Sequence, residues 1–184
     1  MAFDGLLITE IFHSLQGETS LSGVPFVFVR LTGCNLRCTY CDSAYSFKGG
    51  KRMDFQSILG AIKSAGARHV LLTGGEPLLQ RGTLPFLKLL RQEGYEVSIE
   101  THGEVSIETV APFARIIMDI KTPGSGMSRG GFEQNLKFLK RLLIEMSLVY
   151  YDHVFYRFFS FLLLLFRQRR TLLLLCFELL HISF

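Results

Sequence analysis

The sequence predicts an α/β fold, a parallel sheet rolled into a partial (β/α) barrel. Short apolar, β-branched stretches alternate with stretches of helical periodicity, which is the pattern of strands joined by right-handed helical crossovers. In addition, the chemically distinctive residues fall repeatedly just beyond the carboxyl end of a strand, where such folds gather their chemistry.

In chain order, Val24–Leu31 reads as the first strand, apolar and rich in β-branched and aromatic residues, with Pro25 tolerable at its start. Asp54 is placed to cap a helix running to Ala65, with Ile58, Leu59 and Ile62 on one face and Gly66 as its stop. Val70–Thr73 is a short buried strand, and a helix over Leu84–Glu93 ends at Gly94. Glu96–Thr101 is a strand, Ser106–Ala114 a short helix, Ile116–Ile120 a strand, and Phe132–Lys140 opens one more helix. The loops after these four strands are Gly33–Cys41, Gly74–Pro77, Thr101–Gly103 and Lys121–Gly126.

A sharp break in composition follows. All 17 glycines and all five prolines lie in residues 1–140, whereas residues 141–184 hold 13 leucines and seven phenylalanines. The expected organisation is a barrel domain over 1–140 and a divergent Leu/Phe-rich tail over 141–184, a break that a frameshift near codon 141 would produce. The tail's apolar runs, Phe158–Phe166 and Thr171–Phe177, are divided by Arg167–Gln168–Arg169–Arg170. Each run is far short of the roughly 20 residues a membrane span needs, so surface association is the most the tail offers a membrane. The net charge of +4 is scattered rather than striped, which argues against a nucleic-acid partner. Four cysteines, three clustered and Cys176 alone, form no disulfide framework. With no basic, apolar leader at Met1–Ile8, the expected location is the cytoplasm.

The clustered cysteines are Cys34, Cys38 and Cys41. Three soft thiolates in one short loop suit three irons of a [4Fe–4S] cluster and leave the fourth iron open. Zinc would need a fourth ligand from a distant histidine, and three free thiols is the remaining alternative.

This spacing, with Tyr40 before the last cysteine, resembles the radical S-adenosylmethionine (SAM) superfamily. Ser14–Leu15–Gln16–Gly17–Glu18, Cys41–Asp42–Ser43, Thr73–Gly74–Gly75–Glu76–Pro77 and the stretch from Asp119 to Gly126 together resemble its 7-carboxy-7-deazaguanine synthase family over about residues 6–140. The resemblance implies a radical-SAM-type partial barrel, altered at its C-terminal end, and a homodimer served by an electron donor such as flavodoxin or ferredoxin. It implies a lyase of queuosine-precursor biosynthesis: the open iron chelates SAM, SAM is cleaved to a 5′-deoxyadenosyl radical, and 6-carboxy-5,6,7,8-tetrahydropterin loses ammonia to give 7-carboxy-7-deazaguanine.

Residue roles follow from the same resemblance. Leu15, Gln16, Gly17, Glu18, Arg30 and Thr73 fall at substrate positions, with Arg30 on the substrate carboxylate, a task its forked guanidinium suits. Tyr40, Asp42, Gly74, Gly75, Glu76, Glu100, Thr101, Lys121 and Ser125 fall at SAM positions, with Gly75 at the methionyl amino group. Ser43 falls at a Mg²⁺ position that is often threonine. From the residues alone, Gln16–Glu18 also reads as a solvated turn, Gly74–Gly75 as an ordinary turn, and Arg30 as a rim arginine paired with a nearby acid. His102, beside Gly103, reads as a ligand or base or, as is commoner in such a turn, as a solvated loop histidine, and His13 and His69 carry no functional expectation. A glycyl-radical activase would share the cysteines and the Gly-Gly loop without needing Gln16, Arg30 and Ser43, and a zinc interaction module is the rival from another class. The tail replaces the segment that closes the pocket in the resembling family, so a catalytically impaired descendant is also in view.

Overall fold

In the computed structural model the described residues are 4–128, 131–136, 138 and 144–147, all within one compact unit, Met1–Val149. The tail expectations beyond Ser147 lie outside them.

Seven strands form one sheet: β1 (Gly5–Leu15), β2 (Pro25–Leu31), β3 (Lys51–Asp54), β4 (His69–Gly74), β5 (Glu96–Thr101), β6 (Arg115–Asp119) and β7 (Ile144–Ser147). Their order is β3-β1-β2-β4-β5-β6-β7. From β2 through β7 neighbouring strands are parallel, as the alternating pattern predicts. The sequence reading missed β1 and β3, which pair antiparallel and make the sheet mixed. Strand β7 lies past residue 140 and pairs with β6.

Helix α1 (Phe55–Ala65) starts at Asp54, whose carboxylate accepts from the Ser57 backbone N–H at 2.8 Å, and stops at Gly66 in the left-handed region. Helix α2 (Thr83–Gln92) carries Phe86, Leu87 and Leu90 at the spacing of a single buried stripe. Helix α3 (Glu133–Leu136) is one turn. The helix expected over Ser106–Ala114 is absent; those residues form a chain of turns, with both Val110 and Ala111 N–H bonding to Ile107 O. Pro112 has no N–H to continue a helix, and β-branched Ile107, Thr109 and Val110 favour one poorly.

Alternation along the strands divides the sheet into two unlike faces. Val27, Val29, Leu31, Val70, Leu72, Val97, Ile99, Ile116 and Met118 join the main core with Ile58, Ile62, Phe86 and Leu87 of the helices. The intervening positions turn the other way: Phe26, Leu71 and Ile117 form a small second cluster. Beside them on the same face stand Arg30 of β2, Thr73 of β4, Glu100 of β5 and Asp119 of β6. Register puts Glu10 opposite Arg30 and Arg30 opposite Thr73, so a polar row crosses the barrel's inner face.

The helix-covered face is the source of stability. Phe86 is fully buried and its ring packs on Phe55 with centroids 5.1 Å apart. Phe86→Ala is expected to cost about 3–5 kcal/mol in urea unfolding, and a loss below about 1 kcal/mol would show that this interface closes over the cavity.

Candidate active site

The four loops beyond β2, β4, β5 and β6 do meet at one rim, and backbone contacts hold them. Gly75 N–H donates to Leu31 O at 3.0 Å and Glu76 N–H to Gly33 O at 2.7 Å, tying the β4 loop to the cysteine loop. Glycine is required there. A Cβ on Gly74 would collide with the backbone of Leu31, one on Gly75 would collide with the Gly33 carbonyl, and Gly74 also has φ of +108°. From the far side, Thr39 N–H donates to Ser125 O at 3.0 Å and the Thr39 hydroxyl to Gly124 O at 2.9 Å.

Cys34, Cys38 and Cys41 are free thiols, all half-buried. Burial pushes the Cys34 and Cys38 thiols up, and neighbouring charges, Glu76 and the other two cysteines, push Cys34 further. Leu36 N–H approaches Cys34 Sγ at 3.4 Å, a contact that favours the thiolate. Among the described residues no three His, Cys, Asp or Glu side chains converge at the spacing of a single ion. A cube does not ask for convergence, because each iron takes its own thiolate. The donor set therefore fits an iron–sulfur cluster, which would displace three thiol protons on binding.

Glu76 is wholly buried at the centre of the rim. Its carboxylate accepts from Leu78 N–H at 2.9 Å, the Thr101 hydroxyl at 2.9 Å and His102 N–H at 3.0 Å. Burial raises its pKa to about 7 against these donors. His102 is not solvated as expected: it is 6% exposed, and burial lowers its pKa to about 4, so the ring is neutral. A ring that completes a buried polar network cannot be told from a solvated one by its place in a Thr-His-Gly turn.

The inner-face row is equally well defined. The Arg30 Nε–H donates to Glu10 Oε1 at 2.7 Å, Tyr45 donates to the same oxygen at 2.7 Å, and Arg30 lies over the Phe12 and Tyr45 rings. Arg30 is thus paired with a nearby acid. Its ion pair engages Nε, the stem side of the guanidinium fork. Hydrogen bonds from Tyr45 and then Arg30 hold the Glu10 carboxyl below its usual range. Thr73 Oγ1 donates to Glu100 Oε2 at 2.6 Å, while burial pushes the Glu100 carboxyl up.

At the end of β6, Lys121 pairs with Asp119. Burial works against the Lys121 ammonium, but Asp119 more than offsets it and the pKa rises. Lys121 Nζ lies 5.9 Å from the Tyr40 ring centre, next to the cysteine loop, and Asp119 Oδ1 is buried with no hydrogen-bond partner among the described residues.

The expected site residues are not all brought together. Leu15 pairs with Pro25, so register sends Leu15, Gln16, Gly17 and Glu18 to the end of β2 remote from the cysteines. Gln16 is buried and accepts from Glu18 N–H at 3.2 Å, organising its own loop. Glu18 acts on the inner face through its charge, which raises Glu100. Ser125 is buried with its hydroxyl donating to Thr122 O at 2.6 Å, a turn-closing role. Asp42 is exposed, and the Ser43 hydroxyl lies 3.9 Å from Cys41 Sγ. His13 is exposed and His69 stacks on Phe26. Glu10, Asn35 and Asp119 were missed. Asp119, an acid ending a strand two residues before Lys121, had a readable signal; Glu10 and Asn35 did not.

The sequence profile of the radical SAM superfamily matches residues 28–143. The chain belongs to that superfamily. Its cofactors, a [4Fe–4S] cluster and SAM, are those the superfamily is built around. The 7-carboxy-7-deazaguanine synthase of Thermoplasma acidophilum is 45% identical over 138 residues, 74% of this chain and 66% of that protein. The protein of the same name from Koribacter versatilis is 51% identical over 121 residues, covering 65% and 54%. The crystal structure of QueE from Escherichia coli superposes with TM-score 0.63 at 29% identity, over 77% of this chain and 70% of that one. The chain thus spans about half to two thirds of the length of these two sequence relatives.

Two expectations follow. Gly75→Ala must push the cysteine loop off the β4 loop, so iron content after anaerobic reconstitution should fall as it does in Cys34→Ala; full iron loading would show that the close approach is dispensable. Folding favours protonated Glu76, whose pKa is about 7 against 4.5 in the unfolded chain, so this part of the stability is full below 4.5 and lost as pH rises through 7. In iron-free protein, Glu76→Gln should therefore gain stability relative to wild type as pH rises through that window, by up to about 3 kcal/mol. A difference independent of pH would show Glu76 ionised throughout.

Proposed function

We propose that the chain carries the catalytic barrel of a 7-carboxy-7-deazaguanine synthase, a carbon–nitrogen lyase acting on 6-carboxy-5,6,7,8-tetrahydropterin. The observation that carries this reading is the polar row Glu10–Arg30–Thr73–Glu100, which crosses the face the helices leave uncovered. The names of the relatives at 45% and 51% identity support it.

Together the cluster and SAM supply one-electron cleavage of a sulfonium and a hydrogen-abstracting radical. The chain's own residues hold and orient. Arg30, fixed through Nε by Glu10 and stacked over two rings, presents its outer nitrogens to the substrate carboxylate. Thr73 and Glu100 offer a donor and acceptor pair to a planar heterocycle. Lys121 and Asp119, next to the cysteine loop, suit the carboxylate and amino ends of an amino acid. In this reading the Gly75 carbonyl accepts from the amino group of SAM, Ser43 contributes one hydroxyl to Mg²⁺, and Leu15–Glu18 contacts the pterin from the remote end of β2. Flavodoxin or ferredoxin as electron donor, a homodimer and a cytoplasmic location complete the proposal.

The leucine-rich composition of residues 141–184 favours a second reading, a chain that retains cluster and SAM chemistry without ring contraction. Anaerobic reconstitution with SAM, reductant and the pterin separates the two. Formation of 7-carboxy-7-deazaguanine supports the proposal; 5′-deoxyadenosine without that product supports the second reading. Arg30→Ala should keep uncoupled SAM cleavage and weaken pterin binding by about 2–5 kcal/mol, the usual cost of leaving a buried charge unpaired. Unchanged pterin affinity would make Arg30 purely structural.

A further inference from the structure

The residues on the two sides of Cys34 are held by the loops beyond β4 and β5. On one side, Gly33 O accepts from Glu76 N–H at 2.7 Å. On the other, the Asn35 side chain meets His102: Nε2 of the ring lies 2.9 Å from Asn35 Oδ1 and 3.2 Å from Glu76 Oε2. The tautomer follows from the partners. His102 Nδ1 accepts from Glu104 N–H at 3.1 Å, so the single proton of the neutral ring is on Nε2, which donates to Asn35 Oδ1 with Glu76 Oε2 close by. Both ring nitrogens are thereby engaged, which leaves His102 no lone pair for iron and no role as a base.

The ring is itself fixed. Its turn is closed by Gly103 N–H to Thr101 Oγ1 at 3.2 Å and by the fully buried Asn135, whose amide donates to Gly103 O at 2.7 Å. Asn35 is exposed and flanked by buried Leu36, so its carboxamide can be redirected by whatever it bonds. We infer that His102 is a positioning residue for the cluster loop, setting Asn35 and so the chain direction at Cys34, and that it governs how firmly an iron–sulfur cluster is retained. The inference rests on Cys34, Cys38 and Cys41 being the cluster ligands.

The test compares wild type, His102→Ala, His102→Gln, Asn35→Ala and the double alanine variant after anaerobic reconstitution. Iron per chain, the rate of iron release to a chelator and the electron paramagnetic resonance spectrum of the reduced cluster are read, with urea unfolding of the iron-free proteins alongside. His102→Ala and Asn35→Ala should each release iron roughly tenfold faster, as removal of an outer partner of a metal site commonly does. The double variant should be no faster than Asn35→Ala, because both changes break the shared His102–Asn35 contact and only Asn35→Ala also removes the 3.4 Å bond from its amide to Glu104 Oε2. Glutamine can place an amide N–H where Nε2 stood, so His102→Gln should return to within about threefold of wild type. Wild-type release rates and an unaltered spectrum in the alanine variants would overturn the inference, as would additive effects in the double variant. Asn35→Ala alters only an exposed side chain, so the question stays open to test should His102→Ala fail to fold. A wild-type chain that takes up no iron would overturn the cluster reading itself and the inference with it.

Discussion

The missing side chains at Gly74 and Gly75 are the constraint on which the rest of this rim depends. Without them the backbone of the β4 loop touches that of the cysteine loop and donates hydrogen bonds to the Leu31 and Gly33 carbonyls. These contacts shape the cysteine loop, which lowers the ordering cost of binding a ligand there. Glu76 follows directly. Its backbone completes the contact, and its side chain turns inward to gather donors from the next loop and the next strand.

Burying a carboxylate beside the Cys34 thiol works against both. Glu76 raises the Cys34 thiol and burial raises Glu76, so the metal-free rim disfavours accumulated negative charge. Neutral His102 adds donors without adding charge, and Lys121 supplies the positive charge near Cys38. The inner-face row follows a different electrostatic rule: there Glu10 is ionised and paired, and it serves to fix a cation.

Much of the fold was legible because it is written locally. The cap at Asp54, the stop at Gly66, the apolar run of β2 and the cysteine spacing each lie within a dozen neighbouring residues. What was lost depends on pairing between distant segments. Strand β1 mixes Glu10, His13 and Ser14 into its apolar pattern, because Glu10 joins the polar inner-face row while His13 and Ser14 are exposed at the strand's later end. Glu10 acquires meaning only from its register with Arg30, and that register also sends Gln16 to the far end of the sheet. His102 and Asn35, 67 residues apart, identify each other only in space. The missed turn region at 107–113 is the converse case, where Pro112 was visible and its weight against a helix was underestimated.

The division of the sheet into a helix-covered face and a polar face has a consequence for how such a chain tolerates variation. Along β2, β4, β5 and β6, neighbouring positions answer to different demands: one to packing against α1 and α2, the next to what the inner face must hold. In a library scored once for cellular abundance and once for turnover, the two sensitivity profiles would be out of phase, each with a period of two. Val29 and Leu31 would dominate the first profile and Arg30 the second. The polar face could then be rewritten toward another heterocycle with little loss of fold, while substitutions one residue along each strand would exhaust the stability that such rewriting needs.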